Sequence, residues 1–448
     1  MNGFMRTLFI KFSLAMMMAA SAQAENWPQW RGPYFNGSST EKNLPSEFSK
    51  TKNVKWSTLL PGPSAATPII WEDRVFVSSG DEKAKTLHAM CLDRMNGKVL
   101  WNHQVGVGYN FDEKSNFASP SPVTDGKVVV FLYGNGELAA FDFAGKNLWE
   151  RNLQKDYGAF AYQWTYGASP TLYDGTLYVQ VLQRNEPVHG RGQADSPSYL
   201  LALEPRTGKE IWKHVRPSEA HQESREAYST IIPFEHAGRV ELLVAGGDCI
   251  SGHSPKNGEE FWRWGTWNPT RITHWRLVPS PVTGGGVVLA CAPKGSPIYA
   301  VKAGGKGTLD DSALAWKSQQ REISSDVATP LFYKGRFYVV KGEQRPTISR
   351  VEPATGKVEW SGELDSRIKI ESSPTGADDK IYFQNFRGEV FVVAAAEQFK
   401  LLATIPMGDE GDDQLRSTIS LFRLEKISLN PESNKIKREI WKFLMYVY

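Results

Sequence analysis

The sequence predicts an all-β fold, an eight-bladed β-propeller of four-stranded antiparallel blades, and three repeating features predict it. Seven tryptophans, Trp56, Trp101, Trp149, Trp212, Trp262, Trp316 and Trp360, recur at intervals of 44 to 63 residues. Eight hydroxyl residues, Thr67, Ser121, Ser169, Ser229, Ser280, Thr329, Ser373 and Ser417, each open an apolar stretch and are usually followed by proline. An acidic residue, a glycine and a lysine stand just before most of the tryptophans. A period of this length is the mark of a toroidal repeat.

Each unit reads in the same order. After the hydroxyl comes a first strand, then a tight turn such as Asp125-Gly126, Asp174-Gly175 or Lys334-Gly335, then a second apolar strand. A third strand ends in turns such as Asp93 to Gly97-Lys98, Asp142 to Gly145-Lys146, Glu204 to Gly208-Lys209 and Glu352 to Gly356-Lys357. Glycine supplies the positive φ that such a turn needs, and the carboxylate accepts from amides within it. The fourth strand carries the tryptophan. Ser254 to Gly258 is a decayed copy of the turn, and Leu401-Leu402-Ala403 stand where the seventh unit should have its tryptophan. The unit is thus a meander of about 45 residues, the size of a propeller blade.

A four-stranded sheet cannot bury both faces alone, so blades stack around an axis with an aromatic wedged between neighbours. The seven tryptophans are accordingly read as blade-docking residues. Trp56 lies ahead of the first opening hydroxyl, in a run 53–60 that resembles an outermost strand. It is expected to complete the last blade, whose other strands follow Ser417, so that no sheet edge stays open.

Residues 1–24 hold Arg6 and Lys11, an apolar core and the small-residue end Ala22-Gln23-Ala24, the pattern of a signal peptide. The chain is therefore expected to be exported to the periplasm or beyond. No cysteine near the cleavage point suggests a lipid anchor, and no later run is long enough for a membrane span. Residues 25–52 form a lead-in, 53–420 the propeller, and 421–448 an atypical basic tail. The three cysteines, Cys91, Cys249 and Cys291, are widely spaced and read as buried thiols. The formal charge is +3, but leader and tail account for more than all of it. No basic stripe with interleaved aromatics points to nucleic acid.

With the Gly-Lys-x-x-Trp turns and Ser/Thr-Pro openings in view, the chain resembles the pyrroloquinoline-quinone-type (PQQ-like) β-propeller repeat family over about residues 53–420. The lead-in Asn26-Trp27-Pro28-Gln29-Trp30-Arg31-Gly32-Pro33 is similar to that of secreted bacterial members. The resemblance implies one of two functions. One branch consists of quinoprotein dehydrogenases, which hold the quinone beside Ca²⁺ at the axis with an adjacent-cysteine disulfide, a stacking tryptophan and an aspartate base. No adjacent cysteines and no matching calcium-ligating stretch occur here, so no catalytic residue is carried over. The other branch is a binding scaffold similar to the outer-membrane assembly-factor propeller.

In a propeller the loops entering the innermost strands converge on one mouth of the central channel. Residues just before the opening hydroxyls supply Asn116 and Phe117; Gln163, Trp164 and Tyr166; Arg225, Glu226 and Tyr228; His274, Trp275 and Arg276; Ser325 and Asp326; Lys369 and Glu371; and Gln414 and Arg416. Fold-forming positions repeat from blade to blade, and these do not. One reading makes Arg225, Arg276, Lys369 and Arg416 anion contacts and Trp164, Trp275 and Tyr166 stacking surfaces. The other makes the mouth a solvated channel whose cations pair with Glu226, Asp326 and Glu371.

Other motifs carry less chemistry. The acidic run 409–413 lacks the alternation of calcium loops, the histidines show no zinc spacing, and no Gly-x-Ser-x-Gly elbow appears. The insertion from Gln183 to Ser198 is a surface loop suited to a partner. The tail fits no blade: it is read either as a frameshifted end or as a helix over 434–446. The expected protein is a monomeric, non-enzymatic scaffold for an envelope or secreted protein or a polysaccharide, without cofactor or metal. The second reading is an oxidoreductase with PQQ and Ca²⁺.

Overall fold

A computed structural model describes residues 25–110, 112–319, 323–343, 345–408, 414–429 and 436–444, with side chains as far as Leu421. The predicted signal peptide and the acidic run 409–413 lie outside the described residues. Seven sheets, each built on a four-stranded antiparallel meander, follow one another along the chain, as predicted for propeller blades, and the fourth gains a fifth, parallel strand at its edge. The first comprises Ile69–Trp71, Arg74–Asp81, Thr86–Asp93 and Val99–Val107. A two-stranded hairpin, Leu421–Leu429 with Ile436–Leu444, follows the seventh. Residues 436–444, where the spacing suggests a helix, are therefore strand. Helix propensity is a weak prior, and pairing with 421–429 supplies the backbone partners a helix would otherwise provide.

The opening hydroxyls form a circuit around the axis. Each backbone amide donates to the hydroxyl of the next blade: Thr67 to Ser121 Oγ at 2.9 Å, Ser121 to Ser169 at 2.9 Å, Ser169 to Thr230 at 3.1 Å and Thr230 to Ser280 at 2.8 Å. The circuit continues from Ser280 to Thr329 at 2.9 Å, Thr329 to Ser373 at 3.0 Å and Ser373 to Thr418 at 3.3 Å. It has eight members, although only seven sheets are built on a four-stranded meander. Two members differ from the sequence reading, which placed Ser229 and Ser417 there. Adjacent residues of an extended chain face opposite ways, so Ser229 turns inward to donate to Ala245 O, while Ser417 accepts from Gln384. Their neighbours Thr230 and Thr418 face the axis.

Six of the seven tryptophans reach the next sheet's turn. Indole Nε1 donates to a carbonyl in the next sheet's turn: Trp56 to Arg94 O at 2.9 Å, Trp101 to Phe143 O at 3.2 Å and Trp149 to Pro205 O at 2.9 Å. Trp212, Trp316 and Trp360 do the same to Pro255, Pro353 and Ala396. The indole rests on the turn glycine: a Cβ on Gly97, Gly208, Gly258 or Gly356 would meet a tryptophan ring within 2.4 to 2.6 Å. Trp262 departs from the pattern and donates to Glu241 of its own sheet. The fifth sheet has no acidic-Gly turn to receive it, because Gly307–Leu309 instead pairs in parallel with the strand bearing Trp262.

A bulge precedes each docking position. In the seventh sheet it lies between Val392 and Val393, so Ala403, not Leu402, occupies the tryptophan's place in the ladder. Residues 53–60, predicted as an outermost strand, form no named strand among the described residues. Trp56 and Val54 nevertheless pack into the seam between the seventh and first sheets, with Trp27, Leu44 and Phe48 of the lead-in and Ile419 and Leu421 beyond the circuit. Two ends of the chain, rather than one strand, fill that seam.

Candidate functional site

The lead-in closes one end of the channel. Trp27 bridges to Ile70, Thr124 N donates to Pro28 O at 2.9 Å, Phe332 N to Asn36 O at 3.3 Å and Gly376 N to Gly37 O at 2.9 Å. These partners all lie just beyond the opening hydroxyls, at the end of the innermost strands away from the predicted mouth. Arg31 anchors the crossing. The side chain is buried, 1% exposed, and its guanidinium donates to the carbonyls of Asn36, Pro330 and Pro374 at 3.0 to 3.3 Å, with no carboxylate partner among the described residues. Burial lowers its pKa to about 9. Beside it Trp30 reaches the axis and lines the floor of a chamber of about 160 Å³.

The chamber runs from Trp30 past the hydroxyl circuit to Trp164, Arg276, Glu371 and Arg416 at the mouth. The structure brings the predicted charged residues together as ion pairs. Arg276 is 6% exposed and lies 3.4 Å from Asp326 and 3.7 Å from Glu223. Burial works against the Asp326 carboxylate, but Arg276 and the Lys294 amide hold its pKa below the ordinary range. Glu371 sits between Lys369 at 2.6 Å and Arg416 Nε at 2.8 Å. The Arg416 guanidinium lies 4.7 Å over the Phe386 ring and donates to Glu113 O at 2.7 Å.

Glu226 is fully buried between the third and fourth sheets. It accepts from the Gln163 amide at 3.0 Å, from Tyr228 OH at 2.7 Å and from Arg184. Burial raises its pKa to about 7, against the pull of Tyr228 and Arg184. Arg184 comes from the predicted surface insertion, which folds back on the mouth. His189 Nε2 lies 2.7 Å from Gln163 Nε2, and Arg191 donates to Tyr162 O at 3.1 Å.

Four predicted residues, Tyr166, Arg225, His274 and Trp275, stand apart from both the chamber and its ion pairs. Tyr166 is 2% exposed, packs against Phe160 and Tyr162, and donates to Gln180 O at 2.8 Å. It is core, not a stacking surface, because its ring is buried with Phe160, Tyr162 and Tyr199 and its hydroxyl is used by Gln180 O. Arg225 ends the 3₁₀ turn Gln222–Arg225 and donates to Ser218 O and Ala220 O at 2.9 and 3.3 Å. Trp275 packs on the core of the fourth and fifth sheets, and His274 beside it is exposed.

Two chamber residues escaped the sequence reading. Lys114, on the loop between the first two sheets, lies 5.5 Å over the Trp164 ring, and the loop is pinned by Asp112, which accepts from Thr165 N and Oγ1 at 2.7 Å. A long interval between Val107 and Ser121 was the available signal. Trp30 was visible as part of a non-repeating aromatic segment, but nothing local tells where that segment lies. Among the described residues no group of three or more His, Cys, Asp or Glu could hold a metal. Cys91, Cys249 and Cys291 are free and buried.

Radial four-stranded sheets around a lined axis define a β-propeller. The family model described as outer membrane protein assembly factor BamB matches residues 40–183, 91–312 and 307–401, and the chain belongs to that PQQ-like propeller family. No curated protein matches the sequence. Among solved structures, a europium-containing methanol dehydrogenase is similar with a TM-score of 0.61 and 11% identity over 90% of each chain. BamB from Moraxella catarrhalis is similar with a TM-score of 0.52 and 13% identity, over 90% of this chain and 99% of that one. Quinohemoprotein alcohol dehydrogenase from Comamonas testosteroni gives 0.56 and 12%, over 89% and 76%. At such identities the likeness is one of fold.

Proposed function

We propose that this protein is an exported, monomeric, non-enzymatic propeller that binds an envelope protein, or a polysaccharide, through its mouth and the loops around it. One observation carries the reading. The residues that differ from blade to blade gather at one end of the channel, and the lead-in covers the other end. The exposed His274 and the folded-back insertion with Arg191 extend the same face. The family model's description as an assembly factor agrees with a binding role.

The quinoprotein reading fits the residues poorly. The cysteines stand in separate sheets, so no vicinal disulfide can form. The mouth carboxylates Glu226, Asp326 and Glu371 are each committed to a cation, so a hard cation would have to displace an arginine or a lysine.

Two measurements test the proposal. Purified protein given PQQ and Ca²⁺ should reduce no dye with alcohols or sugars; turnover would sink the scaffold reading. A photo-crosslinking residue in place of His274 should yield a discrete adduct in envelope preparations, and the same residue in place of Ile211, exposed on an outer strand, should not. Equal labelling from both positions would count against the mouth.

A further inference from the structure

The hydroxyl circuit leaves a set of donors unused. Ser121, Ser169, Thr230, Thr329, Ser373 and Thr418 all line the chamber, and each uses its oxygen to accept a backbone amide. None of these six hydroxyls donates to a protein acceptor among the described residues, so their protons are available to whatever stands on the axis. A buried wall of this kind selects for hydrogen-bond acceptors, because unpaired donors out of water are costly.

Charge points the same way. The chamber is lined by Lys114, Arg276 and Arg416 against the single carboxylate of Glu371. Glu371 is shared by Lys369 on one oxygen and Arg416 on the other, and Arg276 lies between Asp326 and Glu223. Lys114 makes no ion pair among the described residues, and its ammonium only overlies Trp164. Lys114 is therefore the chamber cation with no carboxylate partner among the described residues. Trp30 below and Trp164 above line the chamber, with Arg31 5.4 Å over the first ring and Lys114 5.5 Å over the second, and such rings take the C–H groups of a pyranose. The chamber, about 160 Å³, is open towards the mouth, so a single sugar ring can enter it from that side.

We propose that the axial chamber is a binding site for a single uronic-acid residue, its carboxylate paired with Lys114 and its ring oxygens taking protons from the hydroxyl circuit. The site opens into the mouth, but it is read with free monosaccharides, so its failure is distinguishable from failure of the partner-binding reading.

Calorimetric titration of the full chain with D-glucuronate and D-galacturonate tests it, with D-glucose as the uncharged isostere and benzoate as a flat carboxylate without hydroxyls. At least one uronate should bind at 1:1, about tenfold or more tighter than glucose and than benzoate. Lys114→Met should weaken the uronate about tenfold or more while leaving the melting temperature near that of the parent, because Lys114 holds no ion pair. Lys114→Arg should restore most of the affinity. No uronate binding at 10 mM, equal affinity for glucose or benzoate, or an unchanged constant for Lys114→Met would each overturn the assignment. The dye and crosslinking results above stand or fall separately.

Discussion

At the scale of the residue, burial decides which ionisable groups keep their charge. His253 is fully buried, its Nδ1 is 2.9 Å from Gly258 O and its Nε2 is 2.9 Å from Ser251 Oγ. Both contacts suit a neutral ring that donates from Nδ1 and accepts at Nε2. Burial, then the nearby Arg216 guanidinium, lowers its pKa to about 3. The 3.8 Å approach of Glu260 is therefore not an ion pair at neutral pH. Between about pH 3 and the unfolded value near 6.5, the unfolded chain binds the proton and the folded chain does not. The stability held by neutral His253 is complete above pH 6.5 and falls as the pH drops through that window, by up to about 1.4 kcal/mol per pH unit. Urea unfolding at pH 4.5, 5.5 and 7 should show this slope, and His253→Gln should flatten it. An unchanged slope would place the titrating group elsewhere.

At the scale of the element, the turn glycines do two jobs. Gly208 has φ +67 and lies against Trp149, where a Cβ would come within 2.6 Å of the ring; Gly175 has φ +72 and meets nothing within 4 Å. Gly175→Ala should cost only the left-handed backbone, about 1–2 kcal/mol. Gly208→Ala should add an overpacking term of about 1–3 kcal/mol and disturb docking of the second sheet on the third. Chemical unfolding of the pair checks it, and equal losses would mean that the indole yields without cost. The glycine, the lysine and the tryptophan were legible in the sequence because each copy repeats them. The partner of Trp262 was not, since a parallel strand at Gly307–Leu309 depends on pairing between units. Nor was the choice between Ser229 and Thr230, which only strand phase makes.

At the scale of the whole molecule, closure rests on segments far apart in sequence. Arg31 ties the lead-in to carbonyls some 300 residues away. Replacing it with alanine unpairs the buried carbonyls of Pro330 and Pro374, each worth about 1–3 kcal/mol, so Arg31→Ala should lose at least about 2 kcal/mol on urea unfolding. Arg206→Ala, at an exposed position, should lose almost nothing. Similar midpoints for the two would show that the lead-in does not brace the ring.

The sequence by itself determined the all-β repeat, the docking role of the tryptophans and which residues are unequal between blades, because a repeated residue reports a repeated environment. It also named Arg276, Asp326, Lys369, Glu371 and Arg416 as neighbours at one mouth. Only the tertiary structure decided that these charges pair with one another, that Tyr166 is core and that Lys114 is left over. Only it placed Trp30 beneath the axis. Pairing, burial and closure depend on distances between parts of the chain that share no local pattern, and those distances exist only once the sheets are assembled around the axis.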